Sequence, residues 1–174
     1  NETGGNVTIY INGTNYTADV INGTATINLT NVTPGEHNVT IVYVDKNGTS
    51  SEINSTLTIP KWDAKVNATG IDIIEGFDEI ITVNVSPVNA TGVVLIDING
   101  TGYYVNVTDG SAKLTIKGLK EGSYTGTVTY LGNKYYNEAT NTVGFTVKAG
   151  ITIDVNGTGN SSVIVIHVPG NETG

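Results

Sequence analysis

A chain of 174 residues has room for one large domain or two small ones. Its formal charge of −8 sets sixteen carboxylates against eight basic residues, all Lys, so it cannot raise the concentrated basic face that nucleic acid requires. There is no cysteine to form a disulfide or a thiolate metal site, and no apolar run long enough to span a membrane.

Thr, Val, Ile, Asn and Gly dominate, the mix of short strands joined by tight turns. No segment repeats apolar residues at helical spacing. The composition predicts an all-β chain with almost no helix.

In chain order, residues 1–61 open on Asn6–Tyr16, which matches Val93–Tyr103 at an offset of 87. The same offset carries Gly110 onto Gly23, Leu114 onto Ile27, Gly122 onto Gly35 and Tyr130 onto Tyr43. Nothing before Asn6 matches the segment 65–87, so residues 1–61 read as the C-terminal part of a domain lacking its first two strands. Residues 62–149 read as a complete domain. Its alternating runs place strands near 65–68, 71–75, 79–86, 93–98, 102–107, 111–117, 123–131 and 140–148. The Asn99-Gly100 and Asp109-Gly110 pairs suit hairpin turns that need positive φ. About seven short strands in some 85 residues is the pattern of an immunoglobulin-like sandwich. Residues 150–174 read as the first strands of a further such domain, because Ser162–Val168 matches Glu79–Val85 at an offset of 83. The two offsets add to 170, which is also the distance from Asn1 to Asn171, where Asn-Glu-Thr-Gly recurs. The expected fold class is tandem Ig-like β-sandwiches whose terminal parts complement one another head to tail. Copies of the chain itself are the expected partners, joined covalently or by strand exchange.

Local motifs refine this reading. Tyr124 enters a strand just after Gly122, as a tyrosine-corner residue does, and His37 holds the equivalent place in the first part. His167, at the position of Asn84, is likewise read as a packed structural residue. Pro60 and Trp62 form a short stiff joint between domains, with Trp62 expected to wedge there. Asp72, Glu75, Asp78 and Glu79 around Gly76 read as a solvated loop rather than a cation site. Lys65 and Asn141 are the sensible pair for an intramolecular isopeptide bond, but the buried carboxylate that such a bond needs is not legible. No nucleophile stands with a base and no His/Cys cluster exists, so neither enzyme activity nor a cofactor is expected.

Asparagine placement carries the functional signal. Eighteen of the 21 Asn begin an Asn-x-Ser/Thr triplet: Asn1, Asn6, Asn12, Asn15, Asn22, Asn28, Asn31, Asn38, Asn47, Asn54, Asn67, Asn84, Asn89, Asn99, Asn106, Asn156, Asn160 and Asn171. Ser and Thr make up about a fifth of the chain, so chance would give roughly four. Strand geometry explains part of the excess, since residues two apart share a face and Asn-Gly-Thr suits a turn. It does not explain why only Asn133, Asn137 and Asn141 fall outside. The triplets are candidate N-glycosylation sites, which makes N-linked glycans expected partners.

Lysine-only basicity, dense Asn-x-Thr triplets and the segment Tyr130–Asn137 before the last strand together resemble the Ig-like repeat domains of adhesin-like surface proteins from methanogenic archaea. The first part departs from that pattern at Tyr43–Gly48, where a shorter last hairpin is expected. The resemblance implies an extracellular, cell-surface location, an adhesive or structural role and no enzyme. The leading expectation is a glycosylated stalk or filament repeat. The alternative is an adhesin module in which Tyr103, Tyr104, Tyr135 and Tyr136 contact surface carbohydrate or a partner cell.

Overall fold

The computed structural model describes residues 4–169. These contain strands and turns and no helix, and they divide into two compact units at Trp62/Asp63.

The first unit is one antiparallel sheet of β1 (Asn6–Ile11), β2 (Thr14–Asp19), β3 (Gly35–Val44) and β4 (Ser50–Ile59), in the order β2-β1-β3-β4. Asn12-Gly13 closes the β1–β2 hairpin with both residues at positive φ, the two-residue turn that matches strand twist. Between β2 and β3, residues 25–30 join no sheet, yet Ala25, Ile27 and Leu29 are half-buried while their neighbours are exposed.

The second unit contains a two-sheet sandwich. One sheet is β10 (Ser111–Ile116), β7 (Glu79–Ser86) and β5 (Lys65–Thr69). The other is β6 (Ile73–Ile74), β12 (Ala139–Lys148), β11 (Gly122–Tyr130), β8 (Gly92–Ile98) and β9 (Thr101–Val107). Inward residues of both sheets form one core: Val66, Ile81, Val83 and Val85 face Val94, Ile96, Val128, Tyr130 and Val147. The chain changes sheets after β5, and β6 then pairs parallel with β12. At that crossing Gly70 leaves room for Phe145, whose Cδ1 would lie 2.9 Å from an added Cβ. Gly110 closes the β9–β10 turn at φ +69°, and its carbonyl accepts from the Val85 amide at 2.7 Å. Three strands facing four, with a short switched strand on the last, is the Ig-like arrangement. The all-β sandwich is therefore the fold.

The strand bounds fall within about two residues of the alternating runs, except that β6 is shorter than the run 71–75. Ile74 turns outward and the chain leaves the sheet at Glu75.

Strands β13 (Thr152–Thr158) and β14 (Ser161–His167) follow as an antiparallel hairpin, turning at Gly159-Asn160. They pair with each other alone, and every residue in them is exposed.

The four strands of the first unit repeat β8, β9, β11 and β12 in order and nearly in register. Ile98 opposes Thr101 and Gly126, and at an offset of 87 Ile11 opposes Thr14 and Val39. The last hairpin differs by length. Five residues (45–49) join β3 to β4, where eight (131–138) join β11 to β12.

Candidate functional site

Two surfaces carry rows of apolar residues less covered than their counterparts in the sandwich. The first is the inner face of the four-stranded sheet. In the second unit Val94, Ile96, Val128 and Tyr130 are each 0 % exposed, because β5 and β7 lie across them. Their counterparts at an offset of 87 are Val7, Ile9, Ile41 and Tyr43, all only half-buried. Ala112 and Ile116 of β10 are likewise buried, whereas Ala25 and Leu29 are half-buried. Similar apolar side chains in matching strands thus stay partly wet where no second sheet is paired over them.

The second surface is the hairpin. Directly opposed residues of an antiparallel pair share a face. Ile153 opposes Ile166 and Val155 opposes Ile164, and Ile151 and Val168 extend the same alternation. This face carries six β-branched residues in succession, each close to 60 % exposed or more. The other face carries Thr152, Asp154, Asn156, Val163, Val165 and His167. The ribbon is thus apolar and exposed on one side and mixed on the other. In the sandwich, Asn67 opposes Asn84 and Ala68 opposes Val83. The hairpin's Thr152–His167 and Ile153–Ile166 pairs reproduce that register at offsets of 85 and 83. Under that correspondence the buried or packed Val66, Ala68, Ile81, Val83 and Val85 become the exposed Ile151, Ile153, Ile164, Ile166 and Val168.

Asn1 and Asn171 lie outside the described residues. Of the other sixteen triplet asparagines fifteen are exposed, and Asn6 is half-buried. The three asparagines outside the triplet rule are distinguished by their amide nitrogen. Asn133 Nδ2 donates to the Thr91 carbonyl, Asn137 Nδ2 to Asp63 Oδ1, and Asn141 Nδ2 to the Val66 carbonyl and to Asn67 Oδ1. Triplet asparagines that are hydrogen-bonded mostly use the oxygen instead: Asn54 accepts from Thr40, Asn89 from Tyr136 and Asn99 from the Thr125 amide. Among the described residues the triplet Asn whose Nδ2 is engaged is Asn12, against His37 Nδ1. Nδ2 is the atom an N-linked sugar occupies, and the sugar replaces one of its two hydrogens, so an Nδ2 held against the protein is poorly placed to carry one.

The remaining candidate residues separate into individual tasks. Tyr124 Oη donates to the Lys120 carbonyl at 2.8 Å, and its ring stacks on Phe145. His37 Nε2 lies 2.7 Å from the Thr33 carbonyl, at the same four-residue spacing. Pro60 and Trp62 are exposed. His167 is not packed: it is exposed and meets Asp154 across the hairpin at 2.9 Å.

The acidic group is not a uniformly solvated loop. Asp72 accepts from the Thr146 amide, Asp78 pairs with Lys117, and Glu75 pairs with Lys120. The hydrogen bond from Lys120, with a further one from the Glu121 amide, holds the Glu75 carboxyl below the usual carboxylate range. Glu79 is fully buried. Its Oε1 accepts from the Ile71 amide while Oε2 has no partner, and burial pushes this carboxyl up. Alternation could have found it, since Glu79 has the parity of Ile81, Val83 and Val85. It does not serve a Lys65–Asn141 bond. Lys65 is exposed opposite Ser86, at the far end of β7, about 23 Å along the strand from Glu79.

The tyrosines do not gather into a binding face. Tyr136 is buried, Tyr103 and Tyr135 are half-buried, and Tyr104 alone of the four stands out. No group of three His, Cys, Asp or Glu among the described residues could hold a metal ion, and no described helix is long and apolar enough to cross a membrane.

No protein-family model matches the chain, and no curated protein does. Solved structures similar to it include the fibronectin(III)-like modules of CbhA from Clostridium thermocellum. That match has a TM-score of 0.43 and 14 % identity over 85 % of this chain and 80 % of the other. A Bacteroides ovatus mixed-linkage glucan utilization protein, SGBP-B, in complex with a heptasaccharide, matches with a TM-score of 0.29 and 16 % identity over 84 % and 39 %. The mouse nectin-like molecule 4 ectodomain (Ig1–Ig3) matches with a TM-score of 0.31 and 14 % identity over 82 % and 53 %.

Proposed function

We propose that this chain is a non-enzymatic, extracellular structural repeat of a glycosylated cell-surface stalk or filament, whose successive units are joined by strand complementation. The observation that supports this reading is the correspondence between two incomplete surfaces. The hairpin exposes the apolar face that β5 and β7 bury, and the first unit half-exposes the core that β5 and β7 cover. Each aliphatic side chain moved from water into such a contact contributes about 1.5–3 kcal/mol. Six of them on one rigid ribbon are enough to offset the cost of ordering and docking it.

On this reading residues 1–61, 62–149 and 150–174 are the back of one Ig-like domain, a complete domain and the front of the next. Tyr124 and His37 pin the corners of successive domains, and Pro60 and Trp62 belong to the joint between them. The uncommitted Nδ2 atoms on exposed triplets support N-glycosylation, with Asn12 the described triplet least suited to it. Glycans and net negative charge would keep a thin rod soluble and protected.

Glycopeptide mapping of the chain from its native source, with electron microscopy of the assembly, tests both halves. Extended threads carrying glycosylated Asn peptides are expected. An unmodified mass together with monomers at high concentration would overturn the reading.

A further inference from the structure

Resting on that complementation reading, we propose a specific seat for the hairpin. Strand β14 of one copy adds antiparallel to residues 24–29 of a second copy, with Thr24 opposite His167, Ala25 opposite Ile166, Thr26 opposite Val165, Ile27 opposite Ile164, Asn28 opposite Val163 and Leu29 opposite Ser162. The register comes from the sandwich itself. There β10 pairs with β7 as Ser111–Asn84, Ala112–Val83, Lys113–Thr82, Leu114–Ile81, Thr115–Ile80 and Ile116–Glu79. Shifting β10 back by 87 and β7 forward by 83 gives the six pairs.

Three features of the chain agree with this register. Residues 25–30 already alternate half-buried and exposed, so Ala25, Ile27 and Leu29 have the parity of an inner face, although no ladder holds them there. The seat sends Ile164, Ile166 and Val168 inward and leaves Val163, Val165 and His167 outward, at the places of Ile80, Thr82 and Asn84, none of which is buried. Asn28 and Asn156 keep their triplets on the outer face. A slip of one residue would reverse every one of these assignments, burying His167 and turning the apolar row to water. Strand β13 then occupies the place of β5, through the Thr152–His167 pairing that matches Asn67–Asn84.

The joint also has a stated difference from the sandwich. The position of buried Glu79 is taken by Ser162, so no carboxyl is enclosed there. The β13–β14 connection is two residues shorter than its counterpart between β5 and β7, and it closes in a tight turn at Gly159-Asn160. It therefore supplies no equivalent of β6 to pair along β4.

A cysteine-free chain allows a direct test by disulfide capture. The Val85 amide bonds the Gly110 carbonyl, so the alternate pair Thr82–Lys113 is a non-hydrogen-bonded one, with its Cα atoms close. Thr26→Cys with Val165→Cys copies that pair on two exposed positions without touching a triplet. The comparison variant, Thr26→Cys with Val163→Cys, is diagonal in the proposed register, about 7–8 Å apart and beyond the reach of a good disulfide. Mild oxidation of the full chain should give the first variant a ladder of covalent dimers and higher multimers, at least tenfold more than the second. Preferential linking of the second variant, or of neither in a chain that sedimentation shows to be oligomeric, overturns the register and leaves complementation standing. A concentration-independent disulfide within one chain overturns the choice of a second copy. No linkage in a chain that stays monomeric overturns the register and the complementation reading together.

Discussion

The same four-strand antiparallel sheet occurs twice among the described residues, once under a second sheet and once without one. Strand order agrees, two registers agree to the residue, the third is shifted by one, and the inward side chains are of one kind. Beyond the last hairpin, the cover differs. Ile96 is fully enclosed and Ile9 is not. Burial in a sandwich is thus a property of the facing sheet as much as of the strand that carries the side chain. The apolar inward row of the first unit is half-exposed, and the hairpin β13–β14 is the converse case, an apolar face exposed where its counterparts in the sandwich are buried or packed. The two rows correspond to the two faces that the complete sandwich buries against each other, and the assembly proposed above rests on that correspondence.

The strongest way to break the comparison is to spoil the cover. Ile166→Asp places a carboxylate in the middle of the hairpin's apolar face while leaving the sandwich untouched. Association of the full chain, followed by sedimentation velocity, should weaken on the order of 100-fold or more. The sandwich should keep its denaturation midpoint. Unchanged association would mean that this face does not make the contact.

A pair of matched sites sharpens the contrast inside the chain. Ile96→Ala empties a fully packed site and should cost the sandwich roughly 2–5 kcal/mol. Ile9→Ala, at the matching half-buried site, should cost the dilute chain about 1 kcal/mol. Hydrogen exchange on β1 and β8 reads the two separately. If the Ile9 cost rises toward that of Ile96 as the chain is concentrated, assembly supplies the missing cover. Equal costs at every concentration would show the first unit already closed.

How much of this was legible in the sequence depends on the range of the cause. Strands β7 to β12 followed from alternation and turn chemistry, which act over a few residues, and the positive φ at Asn99 and Asp109 follows from Asn-Gly and Asp-Gly. The repeat offsets reached further, because a repeated register leaves a repeated pattern. What escaped depended on long-range packing. Tyr136 looked like a surface aromatic, yet the turn built on Asn133, whose Oδ1 accepts from the Tyr135 and Tyr136 amides, folds it into the core. Glu79 looked like one acid among four, although its parity placed it inside. The engagement of Asn133, Asn137 and Asn141 through Nδ2 had only an indirect sign, their absence from the triplets.

The smallest expected effect separates the two covers by pH. Burial raises the Glu79 carboxyl above the ordinary range, the Ile71 amide partly opposes this, and the nearby charge of Asp72 adds to it. Below the unfolded value Glu79 is protonated in both states and contributes nothing. As pH rises from there through the raised folded value, the folded state must carry a buried charge, so stability falls across that window and stays lowered above it. Glu79→Gln is a neutral mimic of the protonated form, and Oε2 already lacks a partner, so no hydrogen bond is lost at that atom. The variant should match the parent sandwich under acid conditions and exceed it at neutral pH by on the order of 1 kcal/mol. The difference between the two denaturation curves isolates Glu79 from Glu75, whose lowered carboxyl acts in the opposite direction, with stability lost as pH falls. Ser162 stands where Glu79 would be in the docked hairpin, so association should show no matching step across that window. A parallel pH dependence in assembly would place a buried carboxyl in the joint and displace the register proposed for β14.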